Sequence, residues 1–439
     1  ELSVEALATA LGGLVARHEV LRTRLVIAEA DGVPYQVIDP PAPFDLPLID
    51  LSGEPDPAAA AQAWLATNAA VPFDLAAGPL FRASLLRLGA EAHVLALAMH
   101  HVVGDEWSDG ILRRELDALY AAARDGVEPG LAALPVQYAD FAVWQRQWLT
   151  GDVLEEHLAY WRERLADAPV LELPTDRPRP AVRSSDGAII EFAIPQEVVE
   201  ALRSVSRSAG ASMFMTLFSA YAMLLSRYSG QDDIVVGTPI ANRNRAEIEG
   251  LIGYFVNTLV LRTDLSGDPT FTELLGRVRA ETLAAFAHQD VPFDRLVDEL
   301  VSDRDRSRTP LFQVLFNYFA EDEADTDSGD DALLGRVQEE LAKFDLRLVV
   351  AERGGGLLGA VHYATRLFDE STIRRLIGHF LQLLTGVAGD AGVRLSRLTL
   401  TSGSSYESEV PSVPGVDELI DTDTDVVAVV SQGESFTYA

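Results

Sequence analysis

Met99-His100-His101-Val102-Val103-Gly104-Asp105-Glu106-Trp107-Ser108 is the stretch on which the reading of this chain turns. Two adjacent histidines close the apolar run from Val94 to Met99. A short turn then carries two acids, Asp105 and Glu106, and one aromatic residue, and a helical pattern opens after Ser108. Neighbouring side chains on a strand point to opposite faces. If strand geometry persists through the pair, one histidine faces the core and the other a cleft. An imidazole in a cleft can take or hold a proton near neutral pH. Taken alone, the pair is better read as a strand end whose histidines are only hydrogen-bonded, and what lies downstream changes that.

Working outward, the run before the pair reads as a strand over His93 to Met99, preceded by another over Leu80 to Leu88. Helical spacing of Leu7, Leu11, Leu14 and Val15 predicts a helix over Val4 to His18. Val20 to Ile27 and Pro34 to Ile38 read as strands, and Pro57 to Asn68 as a helix. Ser108 is a plausible N-cap for a helix over Ile111 to Ala123, stopped near Gly126. Helices are expected over Tyr138 to Trp148 and Leu154 to Leu165. The stretch Leu173 to Pro180, with three prolines in close succession, is the expected boundary between two halves. Strands and helices then restart, ending in a helix over Ser371 to Ala388. Residues 1–175 and 176–400 therefore read as two similar α/β layers, without strict βαβ alternation.

Composition narrows the function classes. A length of 439 residues suggests more than one core. A hydrophobic content of 48% indicates a globular chain. The net charge of -32 argues against nucleic acid or an anionic membrane as partner, since both need clustered positive charge. The acidic run Glu321 to Asp331 reads as a solvated loop. With no cysteine there is no disulfide, thiolate ligand or cysteine nucleophile. No apolar run approaches the roughly 20 residues of a membrane span. His93, His157, His362 and His379 show no metal-ligand spacing, so no metal is expected. From Thr401 the chain turns serine-, proline- and acid-rich, as linkers do, before a strand pattern at Val426 to Val430. The start inside a helical pattern and the end at Ala439 suggest a piece of something larger.

Six further stretches accompany the histidine pair. They are Arg17-His18-Glu19-Val20-Leu21-Arg22-Thr23, Tyr138 to Trp144, and Gly237-Thr238-Pro239 with Asn242-Arg243. Ile252-Gly253-Tyr254-Phe255-Val256-Asn257-Thr258, His288 to Asp294, and Arg304 to Leu311 complete the set. In order and spacing the chain, from residue 1 to about 400, resembles the condensation domain of nonribosomal peptide synthetases. The family's opening Ala-Gln-containing motif does not occur, and the chain is expected to start after it.

The resemblance implies two chloramphenicol-acetyltransferase-like halves forming a V, with the histidine motif midway along a central tunnel. An upstream donor and a downstream acceptor carrier protein would each bring a phosphopantetheine arm bearing a thioester. His101 would be the catalytic position, as base, as orienter of the acceptor α-amine, or as donor to the tetrahedral oxyanion. An α-amine with a pKa near 8 is already partly neutral, so a base titrating near neutrality suffices. His100 would be structural. Asp105 would pair with an arginine of the Arg17 to Thr23 motif, Arg22 first and Arg17 second, and hold the loop. Trp107, Ser108 and Asn257 are expected to contact substrate, Ser108 also as a cap. Arg113 and Arg114 would form a local patch for carrier docking.

One departure stands out: Glu106 occupies a place where the family usually has glycine. It is either a tolerated variant, a side chain reaching the acceptor channel to place the ammonium, or a sign of altered chemistry. Asp105-Glu106-Trp107-Ser108, with Met99 before it and Ile111-Leu112 after, looks like the subtype that joins two L-residues. The tail from about 402 resembles the linker to an adenylation domain, with 426–439 as its truncated start. A cytoplasmic domain, monomeric within a multidomain synthetase, is expected. Two alternatives are a non-catalytic platform that recruits a tailoring enzyme and a free-standing acyltransferase using coenzyme A.

Overall fold

The structure, a computed structural model, describes residues 2–28, 32–301, 305–320 and 342–400, with the backbone of 426–432. The acidic run 321–331 and the linker residues 401–425 lie outside the described residues. Helix α1 (Val4–Arg17) starts where the Ser3 side chain accepts the Ala6 N–H, and it buries Leu7, Ala10, Leu11 and Leu14 along one face. A 3₁₀ turn over Glu19–Arg22 replaces the expected beginning of the next strand. β1 (Thr23–Ile27) then pairs antiparallel with β2 (Pro34–Ile38). β3 (Leu48–Asp50) and α2 (Pro57–Ala69) lead to the antiparallel pair β4 (Phe81–Arg87) and β5 (His93–His100).

β5 ends at the histidine pair, and a 3₁₀ turn over His101–Val103 passes into α3 (Glu106–Asp125). α3 starts earlier than expected: Asp105, not Ser108, is its N-cap, and Ser108 is the third residue of a capping box. Ile111, Leu112 and Leu116 of α3 pack with α1 and with Leu95, Leu97 and Met99 of β5 in one core. That core also takes in Ile252, from far along the chain.

After α4 (Tyr138–Trp148) and α5 (Gly151–Arg164) come β6 (Gly187–Ile194), α6 (Gln196–Ser208), α7 (Met213–Ser229) and β7 (Asp233–Ile240). The short α8 (Ala246–Glu249), β8 (Asn257–Asp264), α9 (Phe271–Ala287) and α10 (Phe293–Leu300) follow. Then come β9 (Val314–Phe319), β10 (Leu346–Arg353), β11 (Gly356–Ala364) and a last helix over Glu370–Gly389. The six strands form one mixed sheet in the order β6-β11-β10-β9-β7-β8. α7 is apolar all round and buried from Met215 to Leu225, as a core helix must be. Leu158 and Trp161 of α5, with Leu165 and Leu171, belong to this second core. This second core therefore also draws on residues from before the proline-rich stretch. Prolines mark where a helix cannot run, not where packing changes partners.

The strand expected at Val426 to Val430 is present as β12 (Val426–Gln432). Its backbone runs parallel to β5 at the edge of a four-stranded sheet ordered β12-β5-β4-β3. Among the described residues no single helix is long and apolar enough to cross a membrane.

Candidate active site

The strand-to-helix turn separates the two histidines. His100 is buried, its Nδ1 accepts the Val102 N–H at 3.1 Å, and Phe73 packs edge-on against its ring. His101 is half-buried, and its Nδ1 lies 2.7 Å from the carbonyl oxygen of Gly104. A carbonyl oxygen can only accept, so Nδ1 carries the proton of this bond. In neutral His101 the lone pair is therefore on Nε2, and the loop's own backbone fixes which nitrogen is basic.

Asp105 is the hub of the loop. Its Oδ1 accepts from the Ser108 N–H (3.1 Å), the Ser108 hydroxyl (2.7 Å) and Arg243 Nη2 (2.9 Å), and its Oδ2 accepts from the Phe255 N–H (2.9 Å). The expected partner is thereby corrected: neither Arg22 nor Arg17 reaches Asp105. Arg22 instead bonds Glu19 and the Asp39 carbonyl, and Arg17 bonds Glu115. Arg243 comes from the second half, is buried like Asp105, and donates through Nη1 to the carbonyls of Ile248 (2.8 Å) and Leu251 (2.6 Å). Its guanidinium lies over the Phe255 ring, 4.1 Å from the centroid. Burial lowers the Arg243 pKa, and the Asp105 carboxylate counters part of that shift. Spacing along the chain could not single out Arg243, because its partner lies in the other half. The motif Asn242-Arg243 was the only signal.

The segment Ile252–Thr258 closes over this turn. The Ser108 hydroxyl accepts the Gly253 N–H at 3.1 Å. A side chain at Gly253 would collide with the Tyr138 ring, so only glycine lets the segment pass there. The Tyr138 hydroxyl donates to the Tyr254 carbonyl at 2.9 Å. The Tyr254 ring crosses that of His101 edge-to-face at 5.1 Å between centroids. A second buried knot supports the first: the Glu115 carboxylate of α3 meets Arg17 (2.9 Å) and His18 Nε2 (2.7 Å), and His18 Nδ1 accepts the Ile252 N–H. Burial pushes the Glu115 carboxyl up, but bonds from His18 and Arg17 more than reverse this and leave it below its ordinary value.

The remaining expected residues fall as follows. Trp107 is exposed, and its Nε1 donates to the Glu249 carbonyl across the halves at 3.0 Å. Ser108 is buried within the Asp105 hub. Glu106, half-buried, lies in the first turn of α3. Asn257 is bound to the backbone around it. Its amide donates to the Gln289 and Val291 carbonyls (both 2.8 Å), and its carbonyl accepts the Thr258 (2.9 Å) and Phe293 (3.0 Å) N–H groups. All four of its hydrogen-bonding positions are used. Sequence spacing also gave no hint that His157 and His288 meet, their Nδ1 atoms 3.0 Å apart.

The chain is 47% identical over 394 residues to a linear gramicidin synthase of Brevibacillus parabrevis, covering 88% of this chain and 5% of that protein. It thus spans a small fraction of the length of the curated relatives it matches. Among solved structures it is similar to the X-domain from teicoplanin biosynthesis, with a TM-score of 0.78 and 32% identity over 91% of this chain and 90% of that one. The X-domain in complex with OxyB matches with a TM-score of 0.78 and 31% identity, over 92% of this chain and 89% of the other. The family model described as condensation domain matches residues 1–408, the span that holds both halves, the histidine turn and the arginine that fastens it. On these grounds the chain belongs to the condensation-domain family.

Proposed function

We propose that this chain joins a donor aminoacyl or peptidyl thioester to the α-amine of an acceptor aminoacyl thioester. Both substrates ride on phosphopantetheine arms of carrier proteins and meet at His101 between residues 1–175 and 176–400. The amine nitrogen attacks the thioester carbonyl carbon, the C–N bond forms, and the C–S bond breaks. The amine proton passes to Nε2 of His101 and from there to the departing thiolate. General-base help of this kind is worth about 10²–10⁴-fold. Holding both tethered groups together supplies a further, larger factor. The observation that carries the reading is the 2.7 Å bond from His101 Nδ1 to Gly104, which leaves Nε2 as the basic atom. In this reading the domain works in the cytoplasm as a monomeric unit of a larger synthetase, ahead of an adenylation domain, and Arg113 and Arg114 help to seat a carrier.

The test is a reconstituted assay with donor and acceptor loaded on carrier proteins. Wild type should release dipeptidyl product, and His101→Ala should lose most of it. Equal product from His101→Ala would end the base reading, and product only from coenzyme A thioesters would favour a free-standing acyltransferase. A second reading is favoured by the likeness to the X-domain, one solved form of which is a complex with OxyB. On that reading this chain is a platform for a tailoring enzyme. It predicts no product from wild type and saturable binding of such an enzyme.

A further inference from the structure

Within the segment that closes over the histidine turn, Leu251, Ile252 and Phe255 are each 2% exposed or less, whereas Tyr254 is 41% exposed. The exposure is not slackness. The Tyr254 carbonyl is held by Tyr138, the preceding residue by Ser108, and the following N–H by Asp105. This fixed backbone sets the Tyr254 ring against the imidazole, edge-to-face with His101 at 5.1 Å and 87°. Burial of its hydroxyl, then the charges of Asp294 and Asp105, raise the phenol's pKa, so the group stays neutral and hydrogen-bearing. An aromatic ring held firmly with one side open offers a large, rigid contact face.

We infer that Tyr254 is a positioning residue, the wall against which the acceptor's α-carbon and side chain lie while His101 receives the amine proton. This rests on the condensation reading. The amine nitrogen must come within about 3 Å of Nε2 for the transfer. The acceptor's α-carbon is bonded directly to that nitrogen, while the donor's α-carbon is separated from it by the carbonyl carbon. A ring lying against the imidazole therefore meets the acceptor before the donor. Tyr254 consequently selects acceptors by size: the ring confines small side chains and crowds large ones.

The experiment compares wild type, Tyr254→Phe, Tyr254→Ala and His101→Ala in the carrier-protein assay, with glycyl and tryptophanyl acceptors against one donor. Tyr254→Ala should shift the tryptophan-to-glycine ratio of kcat/KM upward by about tenfold, within the range that pocket-size changes produce. Tyr254→Phe, which keeps the wall, should hold the wild-type ratio. An unchanged ratio in Tyr254→Ala, or a parallel loss with both acceptors, would overturn the assignment, since a merely structural role lowers both alike. Product from His101→Ala equal to wild type would instead count against the condensation mechanism itself, and that result is read separately from the ratio.

Discussion

Asp105, at the start of α3, and Arg243, after β7, form a buried ion pair with Nη2 2.9 Å from Oδ1. The histidine turn of one half is thus fastened by a cation from the other. Removing one member leaves an uncompensated buried charge, so Arg243→Met should destabilise the domain by about 3–5 kcal/mol. Asp105→Asn should cost a similar amount, and the double variant Asp105→Leu/Arg243→Met less than the sum of the two. Urea unfolding checks this. Loss of activity in either single variant would then report a displaced loop rather than lost chemistry.

Glu106→Gly should keep substantial condensation activity. The bonds that hold the turn run through Asp105, Ser108 and Arg243, and α3 keeps its Asp105 cap in the variant. Product formation, read beside a thermal melt that confirms folding, is the measurement. Complete loss of product with intact folding would refute the view of Glu106 as a tolerated variant.

Asn257→Ala should lower stability by at least about 2 kcal/mol, because two carbonyls and two N–H groups lose their partner in one place. Asn257→Asp should do no better, since it sets a carboxylate against the Gln289 and Val291 carbonyls. Were Asn257 a substrate contact, stability would stay near wild type while KM rose.

Stability should fall as pH drops from about 7 to 5. Burial first, then the neighbouring charge of His157, lowers the His288 pKa, and burial, then Arg375, lowers that of His379. For a group with a depressed folded pKa, the unfolded chain binds more protons in the window between the two values. Stability is then complete above the unfolded pKa and lost as pH falls through the folded one. Urea midpoints across this range should show the slope, and His288→Gln should flatten it.

Most elements could be read from the sequence because their period is local. The helix Tyr138–Trp148 and the strand Pro34–Ile38 occur where their patterns end. Boundaries shifted where a side chain outside the pattern intervened, as when Asp105 rather than Ser108 capped α3. The partner of Asp105 was misassigned because the resemblance pointed to the arginines of the Arg17 to Thr23 motif, whereas the fold brings in a residue from 138 positions away. Asn257 looked available because it is polar in an apolar run. Its four partners come from its own neighbour, from the loop before α10 and from the first residue of α10, which no local pattern reveals.

The division of labour between the histidine turn and its clasp bears on recombination. Consider a chimera of related domains cut at the proline-rich stretch 173–180. That cut leaves Asp105 and Ser108 on one parent and Arg243, Gly253 and Phe255 on the other. A hybrid will keep a well-formed turn only if both parents fit these five positions together. Donor fragments are therefore better exchanged with residues 243–258 transplanted alongside the stretch 99–108 than by splicing whole halves.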